Sequence, residues 1–270
     1  MRILFCGDIV GRSGRQAVSK HLSSLKQKHK IDVIIANGEN AAHGFGLTPK
    51  ITDEIFSFGV HVITSGNHMW DKSEIIPYMD KNPNLIRPIN YPKSVPGKGF
   101  VEYKLLDGRK ILVINAMCRL FMDALDCPFE RTMTLLEKYR LGSSINAIFV
   151  DLHGEASSEK MAFGYYLDGK VSAVIGTHTH VPTADHRILT KGTAYQTDAG
   201  MCGDYDSVVG MGKAEAIMRF TKKMRLGALQ PCEGEGTLSG VMIDINDQTG
   251  LATSITPIRL GGILSQASMK

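Results

Sequence analysis

The 270 residues carry 31 Lys and Arg against 27 Asp and Glu, a net charge of +4, and 43% of them are hydrophobic. That length buries a substantial core, and a balance so near neutral gives no charge-based case for nucleic-acid binding. No apolar run reaches transmembrane length, the first one is too short for a signal peptide, and five scattered cysteines without a CxxC pair read as reduced thiols of a cytoplasmic protein.

Residues 2–7 predict a buried strand closed by Gly7-Asp8. A helix follows from 11 to 28, with Val18, Leu22 and Leu25 at helical spacing. Gly11 and Gly14 complete neither GxGxxG nor a Walker A loop, which sets those nucleotide folds aside. A second strand over 31–36 ends in Asn37-Gly38-Glu39-Asn40, where two oxygen ligands leave one corner. His43-Gly44-Phe45-Gly46 is a glycine-hinged loop, readable equally as a lid or a turn. Thr48 as N-cap and Pro49 at the first helical position open a helix to Phe58, and Gly59 ends it. The third strand, 60–64, closes in Ser65-Gly66-Asn67-His68. A helix is expected over 71–79, and the Pro-, Asn- and Gly-rich stretch 83–99 reads as an irregular surface excursion.

The pattern then changes. Apolar runs at 100–105 and 110–115 around Asp107-Gly108 predict a hairpin that starts a second sheet. A helix over 130–140 precedes a strand at 147–150 that ends in Asp151-Leu152-His153-Gly154-Glu155, and a helix over 156–168 follows. A buried strand over 171–175 runs into Gly176-Thr177-His178-Thr179-His180. If that end is extended, His178 and His180 face the same way and can converge on one point. Short strands at 187–189 and 193–196 flank Lys191-Gly192. A glycine-rich loop over 197–212 holds Asp198, Asp204 and Asp206, best read as turn formers. A helix over 213–223 and a strand pair, 237–245 and 252–258, complete the chain. No linker divides it, so a single domain over 1–270 is expected, with two sheets face to face and helices outside.

An isolated HxH is more often a pair of surface histidines than a metal site, but here the polar strand ends recur. Asp8, Glu39, Asn40, Asn67, His153, His178 and His180 each follow a short apolar run. Without a cysteine among them, the set suits iron or manganese, zinc being a third option, rather than a structural zinc site. Seven ligands exceed one ion and match two, about 3.5–4 Å apart, sharing a carboxylate for which Glu39 is the choice. Two divalent ions against Asp8 and Glu39 leave positive charge for a bridging hydroxide and a phosphodiester. His68, beside a ligand, is placed as the proton donor to the leaving oxygen. Cys6 is expected in the core, and His21, His29, His61 and His186 in local roles. Arg12, Arg15 and Arg119 are either phosphate contacts or, more commonly for Arg, structural.

Gly66-Asn67-His68 and Gly176-Thr177-His178-Thr179-His180 resemble the GNH and GHTH signatures of calcineurin-like metallophosphoesterases. The usual DxH and GDxxD openings are absent: Asp8-Ile9-Val10 lacks the His, and Asn37-Gly38-Glu39-Asn40 replaces the second. That departure is similar to the YmdB-type branch of bacterial phosphodiesterases, which shares GDIVGRSGR, ANGENAAHGFG, TSGNHMWD, DLHGEASSEK, GTHTHVPTAD and TDAGMCGDYDSVVGM across residues 7–211. The resemblance implies a four-layer α/β/β/α sandwich of the calcineurin-like fold, two iron or manganese ions per chain, and hydrolysis of 2′,3′-cyclic nucleotides such as 2′,3′-cyclic AMP and GMP. By position, one ion would take Asp8, Glu39, Asn40 and His180; the other Glu39, Asn67, His153 and His178; His68 would donate the proton. It also implies a homo-oligomer, dimer or tetramer. Two rivals stand beside this expectation. One is an RNA endonuclease or RNA-end phosphodiesterase, against which the lack of a basic stripe with stacking aromatics counts. The other is a non-enzymatic scaffold that senses metal or nucleotide.

Overall fold

The computed structural model describes residues 1–223 and 227–265. In chain order the first half contains β1 (Arg2–Cys6), β2 (Asp8–Ile9), α1 (Gly11–His29), β3 (Val33–Asn37), α2 (Pro49–Ser57), β4 (Val62–Thr64), α3 (Ile76–Met79), β5 (Phe100–Lys104), β6 (Lys110–Met117) and α4 (Pro128–Leu136). The second contains β7 (Ala147–His153), α5 (Ser157–Tyr166), β8 (Ala173–Thr177), β9 (Arg187–Ile188), β10 (Ala194–Gln196), β11 (Met201–Cys202), α6 (Lys213–Thr221), β12 (Leu238–Ile245) and β13 (Ala252–Leu260).

These build a mixed α/β fold with a five-stranded sheet, β13-β12-β1-β3-β4, and a six-stranded sheet, β5-β6-β7-β8-β10-β9; β2 and β11 pair separately. The strands β1, β3 and β4 run parallel, as do β6, β7, β8 and β10. Alternate residues of one strand enter different cores, as the two-residue period requires. Leu4, Ile34 and Ile63 pack with Val18 and Leu22 of α1 and Ile55 of α2. Phe5, Ile35 and Val62 pack with Val113, Phe149 and Ile175 of the other sheet, the Phe5 and Phe149 rings lying 5.0 Å apart. Ile114, Val150 and Val174 form a third cluster with Leu135 of α4 and Phe163 of α5. Each sheet is therefore covered on both faces, which is why its central strands read as continuous apolar runs.

Local chemistry sets the helix ends. The Thr48 hydroxyl accepts from the Ile51 N–H at 3.2 Å, with Pro49 opening α2. Lys30 closes α1 in the left-handed region at φ 51. The expected 71–79 helix is broken: Ser73–Ile75 forms one 3-10 turn before the single turn of α3, because Pro77 has no N–H to continue an earlier helix. The helix expected at 130–140 begins two residues earlier, on Pro128, and ends at Leu136.

The irregular stretch 83–99 lies at the surface only in part, with Pro92, Lys93, Ser94 and Lys98 exposed. Leu85, Ile86, Ile89 and Asn90 are buried. The Ile86 N–H donates to the Ile63 carbonyl at 2.9 Å and the Ile89 N–H to the Asn115 carbonyl at 2.8 Å, so this segment carries the hydrogen-bonded ladder from one sheet to the other. Irregular backbone can be buried here because its polar groups are paired. All five cysteines are free. Among the described residues no helix is long and apolar enough to cross a membrane. The consequence for function is geometric: parallel strands of both sheets bring their carboxyl ends to one edge, where loops place polar side chains.

Candidate metal centre

Every residue expected to hold metal lies at that edge. Asp8 is in β2, Glu39 and Asn40 follow β3, and Asn67 and His68 follow β4. His153 is the last residue of β7, a strand that runs three residues past the expected end and is buried throughout. His178 and His180 follow β8, but not on extended backbone. Their φ angles are 102 and 64, a left-handed turn that non-glycine residues adopt only when neighbours enforce it. Specific hydrogen bonds do so. Asp8 Oδ2 accepts from the His178 N–H at 3.1 Å, and Asp198 Oδ2 from the Thr179 N–H at 3.0 Å. The Val209 carbonyl meets His180 Nδ1 at 2.8 Å, and the Tyr205 hydroxyl reaches the His180 carbonyl at 3.2 Å.

The turn sends its two imidazoles to different partners. His153 Nε2 stands at the middle of one group, with Asn67 Oδ1 at 2.9 Å, Glu39 Oε1 at 3.1 Å and His178 Nδ1 at 3.1 Å. Donor atoms of Glu39, His153 and His178 all lie within 4.8 Å of one another. In the second group His180 Nε2 faces Asn40 Oδ1 at 3.3 Å, and Asp8 feels the charges of His180 and His153. Asp8 Oδ1, fully buried, has no hydrogen-bond partner.

Proton placement shows what these groups fit. His180 gives its Nδ1 proton to the Val209 carbonyl. Its Nε2 lone pair therefore points at Asn40 Oδ1, whose own amide nitrogen is committed to the Gly44 carbonyl at 3.1 Å. Likewise the Thr177 hydroxyl donates to Asp151 Oδ1 at 2.7 Å, so it receives His153 Nδ1–H at 3.0 Å, which turns His153 Nε2 toward Glu39 Oε1, Asn67 Oδ1 and His178 Nδ1. The His180 and Asn40 acceptors that face each other at 3.3 Å, and the unpartnered buried oxygen of Asp8, are costly alone, while His153 Nε2 and its neighbours crowd near 3 Å. They match the spacing of N and O ligands on cations bound at about 2.0–2.2 Å. Gly66 completes the cradle, since a Cβ there would strike His153 Nε2 and Glu39 Oε2.

The titration behaviour agrees. Burial lowers the His178 pKa to about 3, reinforced by the charge of His153, so His178 is a neutral donor. Burial raises Asp8 to about 6 against the pull of His180 and His153. Burial works against charge on both His153 and Glu39, yet their mutual attraction outweighs it, with His153 raised to about 9 and Glu39 lowered to about 2. A proton on His153 thus balances the carboxylates when no ion does, and a metal ion would displace it.

Two supports were not expected from the sequence. Asp151, wholly buried, accepts from Thr64, Asn37 and Thr177 and so orients His153 through the Thr177 hydroxyl. The signal was available: Asp151 and His153 are two residues apart on one strand and share a face. Lys160 of α5, also wholly buried, donates to Asp198 at 2.9 Å and to the Thr177 carbonyl at 2.7 Å, anchoring the His178 turn from behind. Asp198 is therefore a buried ion-pair partner as well as the expected turn former, its Oδ1 accepting from the Gly200 N–H at 2.9 Å.

His68 lines the open cleft with Glu39, Asn40, His178 and His180. Its N–H donates to Glu39 Oε2 at 3.0 Å, its Nδ1 meets Asp71 Oδ2 at 2.8 Å, and Phe45 packs edge-on against its ring. That leaves Nε2 for a substrate. Arg15 is committed to Glu54 and the Ala41 carbonyl, and Arg119 lines a separate cleft, so neither takes the phosphate role.

Comparison with known proteins agrees along the whole chain. The sequence profile of the YmdB-like proteins matches residues 4–258. A 2′,3′-cyclic-nucleotide 2′-phosphodiesterase of Bacillus subtilis is 49% identical over 258 residues, which is 96% of this chain and 96% of that one. The crystal structure of a hypothetical protein from Thermus thermophilus superposes with a TM-score of 0.90 at 38% identity, covering 97% of this chain and 100% of that one. That of a Mycoplasma pneumoniae phosphatase gives 0.90 at 32% identity, covering 97% and 93%. With sequence and backbone in accord from end to end, the chain belongs to the YmdB-like protein family.

Proposed function

We propose that the protein is a metal-dependent phosphodiesterase that opens 2′,3′-cyclic nucleotides to nucleoside monophosphates. The observation that carries this is the convergence of His153 Nε2 and His180 Nε2, each ring fixed through its Nδ1, on oxygens of Glu39, Asn67 and Asn40 beside His68. The activity named for the Bacillus subtilis relative supports the substrate class.

One ion would be held by Asp8, Glu39, Asn40 and His180 and the other by Glu39, Asn67, His153 and His178, with Glu39 shared. Bound divalent ions supply positive charge that polarises the phosphoryl group and acidifies the attacking water. The chain's residues do the rest. Asp151 and Thr177 hold the His153 ring, while Lys160 and Asp198 hold the turn that carries His178 and His180. His68, oriented by Asp71, carries on Nε2 the proton that the departing ribose oxygen takes as the P–O bond breaks. Water adds to phosphorus, and cleavage at O2′ leaves a nucleoside 3′-monophosphate.

The same reading takes iron or manganese as the ions, two per chain, on the strength of a ligand set without cysteine. Facing sheets flanked by helices support the four-layer calcineurin-like sandwich over one domain, 1–270. Five free cysteines support a cytoplasmic location, and the family resemblance supports assembly as a dimer or tetramer. The test is to offer manganese- or iron-loaded protein 2′,3′-cyclic AMP and 2′,3′-cyclic GMP alongside a labelled RNA. Release of nucleoside 3′-monophosphate is expected. Shortening of the RNA without cleavage of either cyclic nucleotide would move the activity to nucleic acid, and turnover of neither would leave the scaffold reading.

A further inference from the structure

The cleft over the candidate metal centre has a volume of about 590 Å³ and two chemically distinct halves. One half presents the carboxylate, amide and imidazole groups already described. The other is formed by Phe45, Val181, Val209, Met211, Phe220 and Leu229, all apolar. Phe45, Met211 and Leu229 pack with Val10 and Met201 as a firm floor. Phe220, Val181 and Val209 stand at the mouth, 81%, 55% and 46% exposed.

An aromatic ring left this far in water gains nothing for the fold. Apolar surface gathered beside a polar site marks where a ligand is covered. We infer that this half is a nucleobase subsite, in which Phe220 of α6 provides the stacking face while the cyclic phosphate lies on the polar half. The inference rests on the phosphodiesterase reading above and says what the substrate carries besides phosphate. Phosphate and ribose require polar partners and cannot use these six side chains; a flat heterocycle can. Among the described residues that form it, the apolar half bears no side-chain amide, carboxylate or guanidinium. A base there stacks by its face on Phe220, a contact that adenine and guanine make alike.

The test compares 2′,3′-cyclic AMP and 2′,3′-cyclic GMP with glycerol 1,2-cyclic phosphate, which has the same five-membered phosphodiester ring and no base. With metal-loaded wild type, the kcat/KM ratio of either nucleotide to the glycerol compound should exceed one. In Phe220→Ala that ratio should fall about tenfold, chiefly through KM of the nucleotides, and Phe220→Trp should restore it. Calorimetric binding of adenosine 3′-monophosphate to the same proteins reads the subsite without turnover. It should weaken in Phe220→Ala and recover in Phe220→Trp. A wild-type ratio of one, a ratio unaltered by Phe220→Ala, or equal nucleotide affinity in wild type and Phe220→Ala would each overturn the inference. Should no phosphodiester be cleaved, the phosphodiesterase reading fails, while the nucleotide titration still decides the subsite.

Discussion

The two edges of the paired sheets treat charge in opposite ways. At the amino ends of the strands three cations are each met by acids. Arg109 reaches Asp32 at 2.6 Å, Asp107 at 2.6 Å and Asp247 at 3.3 Å; Arg2 reaches Asp244 at 2.6 Å; the N-terminal amine reaches Asp247 at 2.9 Å. These groups hold Asp244 and Asp247 below the usual carboxylate range. At the carboxyl ends, Asp8 keeps an unpartnered oxygen, His180 Nε2 faces the Asn40 oxygen, and Glu39 is balanced only by the proton on His153. One edge is electrically complete; the other becomes so only with a guest. A surface network of the first kind adds little to stability, whereas buried acceptors of the second kind are tolerated where binding repays them.

The comparison is broken most severely by removing charge from the open edge. Glu39→Gln should lower turnover of 2′,3′-cyclic AMP by at least about 10³-fold, an order set by the loss of a metal-shared carboxylate, and should reduce metal content measured by elemental analysis. Intact turnover would deny Glu39 its shared position. His68→Ala should cost about 10²–10⁴-fold in kcat while metal content stays whole; equal loss of metal would recast His68 as a ligand. Thr177→Val strikes behind the site. It strands Asp151 and frees the His153 ring, so metal affinity should fall about 10–100-fold, and an unchanged metal titration would remove the hydroxyl from the account.

Acidity sharpens the contrast further. In ion-free protein the His153 pKa is raised from 6.5 to about 9. A raised histidine stabilises the fold fully below its unfolded pKa and loses that contribution as pH rises through the folded one. Unfolding free energies of ion-free protein, read from urea titrations, should therefore decline between pH 6.5 and 9. With metal bound the ion replaces the proton, and that decline should vanish; parallel curves would contradict the linkage. The smallest effect belongs to the complete edge. Arg109→Ala should cost about 1 kcal/mol or less in the same unfolding measurement and leave kcat on 2′,3′-cyclic AMP untouched.

What could be read in advance follows from periodicity. Apolar runs that end in Asp8, Glu39, Asn67 and His178 place those residues at one edge because parallel strands share a direction, and no tertiary knowledge is needed for that step. Asp151 and Lys160 escaped because both are wholly buried charges, and a sequence supplies no reason to bury a charge until its partner is known. The left-handed backbone at His178 and His180 escaped for a related reason. It is enforced by Asp8, Asp198, Val209 and Tyr205, all distant in the chain. The burial of residues 85–90 was missed because Pro, Asn and Gly mark irregular backbone, not exposure, and the hydrogen bonds of this segment go to both sheets.

The contrast between the two edges stands or falls on whether the carboxyl end takes up cations, and calorimetric titration of ion-free protein with manganese addresses that directly. Saturation at two ions per chain is predicted, accompanied by release of the proton that His153 held, and Glu39→Gln should abolish the high-affinity phase. A flat titration, or one that is identical in Glu39→Gln, would mean that the converging side chains are not a metal site.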